Sequence, residues 1–141
     1  MGALAVLPGE KLLGSVWQMG NFARGVAIEM RLGKNLASGF PVIDKFVKGV
    51  ATSIKSIDLT SKTYQDTAKL AKTLDGYIGK VAKFNGAKYG KDVVEASAIK
   101  ARELQVAVPT GSMSDAQKAV FDAASANAQK QGVRLTVTEI R

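Results

Sequence analysis

The sequence has no cysteine and no histidine among its 141 residues. Without cysteine there is no disulfide, no thiolate nucleophile and no zinc site built on thiolates. Without histidine there is no Ser-His-Asp triad, no Cys-His pair and no nuclease chemistry that uses an imidazole as acid or base. Catalytic groups must then come from Asp, Glu, Lys, Arg, Tyr, Ser or Thr, or from a bound metal. No run of about 18 apolar residues occurs, so no membrane-spanning helix and no stable membrane insertion of this domain are expected. The apolar stretch Ala3 to Leu7 is broken by Pro8 and has no positive segment before it, which is too short for a secretory signal. Aromatic residues make up only 6% of the chain, so base stacking is not expected to dominate any nucleic-acid contact.

What is present is a basic globular composition. Apolar residues account for 46% and charged residues for 23%, which suits a folded chain rather than a disordered one. The length suits one domain with one core. We expect a lead-in over residues 1–20, helical from Glu10 to Gln18, and a single domain over residues 21–141. Twenty Lys and Arg against twelve Asp and Glu give a net charge of +8. A polyanion is therefore the first partner to consider.

Asn21 is a candidate cap for a helix from Phe22 to Leu32, ended by Gly33. Pro41–Val47 and Val50–Leu59 are rich in β-branched residues, and Lys48-Gly49 forms a short turn between them. Thr60 or Ser61 is a candidate cap for a long helix from Thr63 to about Phe84. Its apolar stripe is Leu70, Leu74, Tyr77, Ile78 and Val81. Residues 85–91 read as a Gly/Lys loop and Val93–Ala101 as a short helix. Leu104–Val108 reads as a strand stopped by Pro109. Ser114 and Gln117 have the spacing of a capping box, and that helix closes at Gly132. Val133–Ile140 alternates as a final strand. The expected fold is α/β in the order α-β-β-α-β-α-β, a mixed sheet flanked by helices.

The hairpin carries charges that packing does not ask for. Along the second strand Ser53, Lys55 and Ile57 share one face, and Thr52, Ile54, Ser56 and Asp58 share the other. Asp44 on the first strand can reach Lys55 or Ser53, and Glu29 lies on the helix that feeds this hairpin. Two carboxylates and a lysine suit phosphodiester chemistry. Glu29 and Asp44 can hold a divalent metal such as magnesium through hard oxygen ligands, and Lys55 can neutralise the phosphate or position the nucleophile. Structural alternatives stand beside this reading. Lys55 can be an edge-strand charge that deters aggregation, Asp44 can pair with Lys45, and Glu29 can pair with Arg24 or Arg31. Lys62, Lys69, Lys72, Lys80 and Lys83 are either a solvated face or a stripe that tracks phosphates. The turn at Thr60 and Ser61 is most simply a cap, although its free amides can take a phosphate.

The segments RGVAIE, PVID and SIK supply Glu29, Asp44 and Lys55 in an order that resembles the PD-(D/E)xK, restriction-endonuclease-like nucleases. That resemblance implies the three residues as the catalytic set. Ser53 stands where the pattern has an acid, so Asp58 would have to substitute, the metal would be held more weakly, or the chemistry would be metal-free. Ser53, Ser56, Asp58, Tyr64 and Gln65 are supporting candidates. A longer resemblance runs from RGVAIE through GFPVIDKFVKGVATSIKSIDLTSKTYQ to LQVAVP and GVRLTVTEI, about residues 24–140. It is similar to the C-terminal toxin domains of contact-dependent growth inhibition (CdiA-type) proteins. That resemblance implies an antibacterial nuclease, with tRNA as the expected substrate and a metal-dependent DNase on the same fold as the alternative. A non-catalytic basic module that binds RNA or a translation factor is a further alternative. The resemblance also implies delivery from the surface of a producing bacterium into the cytoplasm of a target cell. Its expected partners are a cognate immunity protein with an acidic surface and, for a tRNase, a translation factor.

Overall fold

The computed structural model describes residues 15–141 of the chain. Most of the expected lead-in helix therefore lies outside the described residues. Only its end is seen, as one 3-10 turn at Val16–Gln18, where the Ser15 side chain accepts the Trp17 N–H. Helix α1 spans Asn21–Arg31. Gly20, not Asn21, holds its N-cap position, and the Asn21 side chain instead accepts from Arg24 at 2.9 Å. Only one side of α1 is packed: Ile28 is buried, whereas Phe22 is 86% exposed.

Strands β1 (Lys45–Val47) and β2 (Val50–Ser56) form the expected antiparallel hairpin. Lys48 and Gly49 both have positive φ, 51° and 83°. Two such residues give the primed turn that matches strand twist. β1 is much shorter than the apolar run from Pro41 suggested. Val42 has a φ of 66°, and the Ile43 N–H bonds back to the Pro41 carbonyl at 2.7 Å. This is a three-residue γ-turn, and it swings the chain out of the ladder before Asp44.

The long helix expected from Thr63 is divided. A short helix α2 covers Lys62–Gln65, and α3 covers Thr67–Lys83. Asp66 lies between them in extended backbone and caps α3 by accepting from Ala68 and Lys69. An acid at this position also complements the helix dipole. Ser61 holds the cap position of α2 but makes no side-chain cap bond there. Leu70, Leu74, Ile78 and Val81 are the fully buried stripe of α3, each contributing about 1.5–3 kcal/mol.

The region after α3 departs furthest from expectation. In place of a loop and a helix there is a second hairpin, β3 (Ala87–Tyr89) paired with β4 (Asp92–Val94). Only Ala96–Ala98 is helical, as one 3-10 turn. The fold thus has two more strands than expected. β5 begins at Ala101, earlier than Leu104, and runs to Pro109. Helix α4 (Asp115–Lys130) carries the full Ser114/Gln117 capping box, and β6 covers Val133–Ile140.

The main sheet has the order β1-β2-β5-β6, with β2, β5 and β6 parallel and β1 antiparallel. Parallel neighbours need crossover connections, and α3 and α4 supply them. Both pack on one face of the sheet, where Leu70, Leu74 and Ile78 meet Leu104, Val106 and Phe121. α1 covers the other face with Ile28 against Ile54, Ala107 and Ile140. The expected mixed sheet flanked by helices is what the chain forms.

Candidate active site

The ladder between β1 and β2 ends at the pair Lys45–Thr52. Beyond Thr52, β2 has no strand on that side, although β5 pairs with it as far as Ser56. This open edge is where the charged residues meet. Asp44 comes in from just before β1, Glu29 from α1 and Lys55 from β2 itself. Together with Ser56 they line one cavity of about 210 Å³. Gly25, Ile28, Ile54 and Tyr77 complete its wall.

Asp44 is fixed by its backbone and its side chain. Its N–H donates to the Thr52 carbonyl at 2.9 Å, and its Oδ2 accepts the Ile54 N–H at 2.8 Å. Burial pushes its carboxyl above the usual value, and the nearby Glu29 adds to the rise. The Ile54 N–H, Lys55 and Lys34 oppose that rise without cancelling it. Two carboxylates thus crowd one another in a partly dry site. Glu29 Oε1 accepts from the Lys34 ammonium at 2.8 Å, which also reaches Ser38 Oγ at 3.3 Å. Glu29 therefore pairs with Lys34 rather than with Arg24 or Arg31. Lys55 makes no ion pair among the described residues; its Nζ lies 5.1 Å from the centre of the Tyr77 ring.

The supporting candidates fall in different places. Ser56 lines the cavity. Ser53 is only 1% exposed, opposite Leu104 in the parallel pair with β5, and is not part of the cavity wall. Asp58 is turned away, its Oδ1 accepting both the N–H and the hydroxyl of Thr60. Tyr64 packs against the core beneath α3, and Gln65 donates to the Leu59 carbonyl at 2.7 Å. Lys62, Lys69, Lys72, Lys80 and Lys83 are all exposed, and none is in an ion pair among the described residues. Lys69, Lys72, Lys80 and Lys83 project within an arc of about 80° on α3, away from its buried stripe.

Sequence reasoning missed Tyr77, Lys34 and Gly25 as members of the site. Tyr77 was placed in the apolar stripe of α3; its hydroxyl, and its step of three from Lys80, mark it as the stripe's edge. Lys34 reaches Glu29 across the end of α1, a contact with no helical spacing to announce it.

Two carboxylates that repel one another in one cavity suit a hard divalent cation such as magnesium. Asp44 has Oδ1 and Glu29 has Oε2 beyond the bonds described. Among the described residues no group of three or more His, Cys, Asp or Glu gathers around a common point. The protein would therefore supply two ligands, leaving the rest to water and substrate oxygens, as magnesium commonly accepts.

A sheet of this order, with helices on both faces and carboxylates and a lysine at the open edge of its second strand, is the arrangement of the restriction-endonuclease-like fold. The chain belongs to the family described as the CDI toxin restriction endonuclease-like domain, which it matches over residues 24–138. It is 31% identical to the deoxyribonuclease CdiA-o11 of Escherichia coli O157:H7 (strain EC869), over 92% of this chain and 36% of that protein. It is 29% identical to the deoxyribonuclease CdiA of Yersinia pseudotuberculosis serotype O:3 (strain YPIII), over 92% of this chain and 13% of that protein. The chain thus spans about a third or less of these relatives. Its fold is similar to a chain of the CdiA-CT/CdiI toxin and immunity complex from Yersinia pseudotuberculosis. The TM-score is 0.67 at 25% identity, over 81% of this chain and 98% of that one. Both curated relatives are deoxyribonucleases, which overturns the expectation of tRNA as substrate. Nothing in these relatives supports the expected translation factor.

Proposed function

We propose that the chain is a toxin domain of contact-dependent growth inhibition that cleaves phosphodiester bonds in DNA after delivery into a target cell. The observation that carries this reading is the convergence of Glu29, Asp44 and Lys55 on one cavity. Relatives that are deoxyribonucleases support the choice of DNA.

In this reading Glu29 and Asp44 place two negative charges at the cavity wall and hold the divalent cation. A cation held by them would supply charge stabilisation at the phosphoryl oxygens and a more acidic water. Lys55 contributes an ammonium to the phosphate whose charge grows during displacement. Ser56 lines the same wall with a hydroxyl. The lysines of α2 and α3 take the neighbouring DNA backbone without reading sequence.

A cognate immunity protein is the proposed partner, supported by the similarity to a chain of a toxin and immunity complex. Against a domain of net charge +8, such an inhibitor is expected to present acidic residues.

The test is plasmid nicking by the purified domain with magnesium, with and without EDTA. Nicking that stops with chelator and is lost in Lys55→Ala is the expected result. Killing by Lys55→Ala at the level of the unaltered domain would sink this assignment.

A further inference from the structure

We propose that Tyr77 is a positioning residue: its ring face holds the Lys55 ammonium at the cavity wall and keeps it out of ion pairs with Asp44 and Glu29. The N–H donors of Lys55 then stay available to a phosphate. The inference rests on the nuclease reading above and assigns a residue that the reading does not use.

Lys55 stands apart from the other charges of its cavity. Two carboxylates line its cavity, and its charge is felt at Asp44. Yet no ion pair forms with either one; Lys34 takes Glu29 instead. The Lys55 charge instead rests over an aromatic face, 5.1 Å from Nζ to the ring centre of Tyr77. A ring face attracts an ammonium through its quadrupole. Unlike a carboxylate, it attracts the charge without lone pairs that take up the strong N–H donors of the ammonium. A lysine resting on a ring is therefore held in place and still able to donate.

The fold fixes the ring itself. Tyr77 is half-buried on α3, between the stripe of Leu74, Ile78 and Val81 and the exposed lysines Lys80 and Lys83. Lys55 leaves β2 on the face that α3 covers, since its neighbour Ile57 joins the cluster under α3. Burial, with Tyr64 nearby, lifts the Tyr77 phenol above its usual value, so the ring stays neutral and does not compete as an anion. A purely structural Tyr77 would need only apolar bulk. Leucine would satisfy that need, and leucine favours helices.

Three variants separate the two roles: Tyr77→Phe keeps the ring, Tyr77→Leu removes it, and Tyr77→Met fills the space flexibly should the leucine variant fail to fold. The first readout is the proton shift of the Lys55 ε-methylene group by NMR. It should lie upfield from the ring current in the unaltered chain and in Tyr77→Phe, and return to the ordinary lysine position in Tyr77→Leu or Tyr77→Met. The second readout is plasmid nicking. Tyr77→Phe should keep kcat, while the ringless variants should lose about 3- to 30-fold in kcat with KM held by the outer lysines. Full activity in a folded ringless variant overturns the inference. So does a Tyr77→Phe variant as slow as Tyr77→Leu, since the hydroxyl would then be what matters. An unshifted Lys55 signal in an active chain overturns the role of Tyr77 alone. A chain that nicks no DNA overturns the nuclease reading, and the role of Tyr77 with it.

Discussion

The Asp44 side chain accepts the Ile54 N–H at 2.8 Å, in the position where a longer β1 would have offered a backbone carbonyl. The carboxylate therefore completes the strand ladder while also facing the cavity. Burial holds its pKa up, so the folded chain binds this proton more tightly than the unfolded chain does. The stability from that proton is present at low pH and is lost as pH rises through the raised folded-state value. At neutral pH ionised Asp44 is thus a destabilising charge. Asp44→Asn keeps an acceptor for Ile54 and removes the charge. It should raise Tm at neutral pH by on the order of a few degrees while abolishing nicking. The gain should shrink as pH falls toward the acid range. A variant that melts lower than the unaltered chain at neutral pH would contradict this account.

The γ-turn at Val42 carries a second prediction. A β-branched residue at a φ of 66° is strained, by about 1–3 kcal/mol. Glycine would relieve that strain but costs about 0.5–1 kcal/mol in unfolded-chain entropy. Val42→Gly should therefore be neutral to stabilising and keep activity, because Asp44 stays where it is. Val42→Pro fixes φ near −65°, which is incompatible with the turn. It should lower both Tm and nicking. Thermal melts and plasmid assays on the two variants decide the matter, and equal behaviour would show that the turn does not position Asp44.

These two residues also mark how far the sequence was readable. Asp44 and Lys55 stood out because each charge interrupts an apolar run that packing alone would have continued, and Glu29 entered as the acid on the helix that precedes them. The Lys48-Gly49 turn and the Ser114/Gln117 box were legible because their chemistry is local. The end of β1 was not, since Pro41–Val47 has the composition of a strand and only the positive φ of Val42 breaks it. Residues 87–94 were not, because the strands are three residues each and too short for a period to show. The break at Asp66 was hidden inside a run that suits helix on both sides. Tyr77 was seen as an apolar position of the α3 stripe; its contact with Lys55 spans β2 and α3 and leaves no spacing in the sequence.

The lysines of α3 should act on binding rather than on the chemical step. Lys55→Ala provides an inactive chain in which affinity for a DNA duplex can be measured across salt concentrations. Replacing Lys69 and Lys72 together by Ala should weaken binding alike on unrelated sequences. It should also flatten the plot of log K against log salt by about 0.9 for each phosphate that the two lysines neutralise. An unchanged slope would return these lysines to the role of a solvated helix face.

Lys34 pairs with Glu29 at 2.8 Å, and Glu29 is one of the two carboxylates proposed to hold magnesium. The lysine and the cation would compete for the same charge. The pair is partly exposed, with side chains 19% and 25% accessible, so solvent screening keeps its strength to about 1 kcal/mol or less. Lys34→Met keeps the length of the side chain and removes the competitor. Half-maximal nicking should then need up to about fivefold less magnesium. Melting supplies a readout that does not depend on activity. Without magnesium the variant should melt lower, because Glu29 and Asp44 then repel one another with less relief, and added magnesium should raise its Tm by more than that of the unaltered chain. If the magnesium requirement rises instead, Lys34 assists the cation site by holding Glu29 in place rather than competing with it.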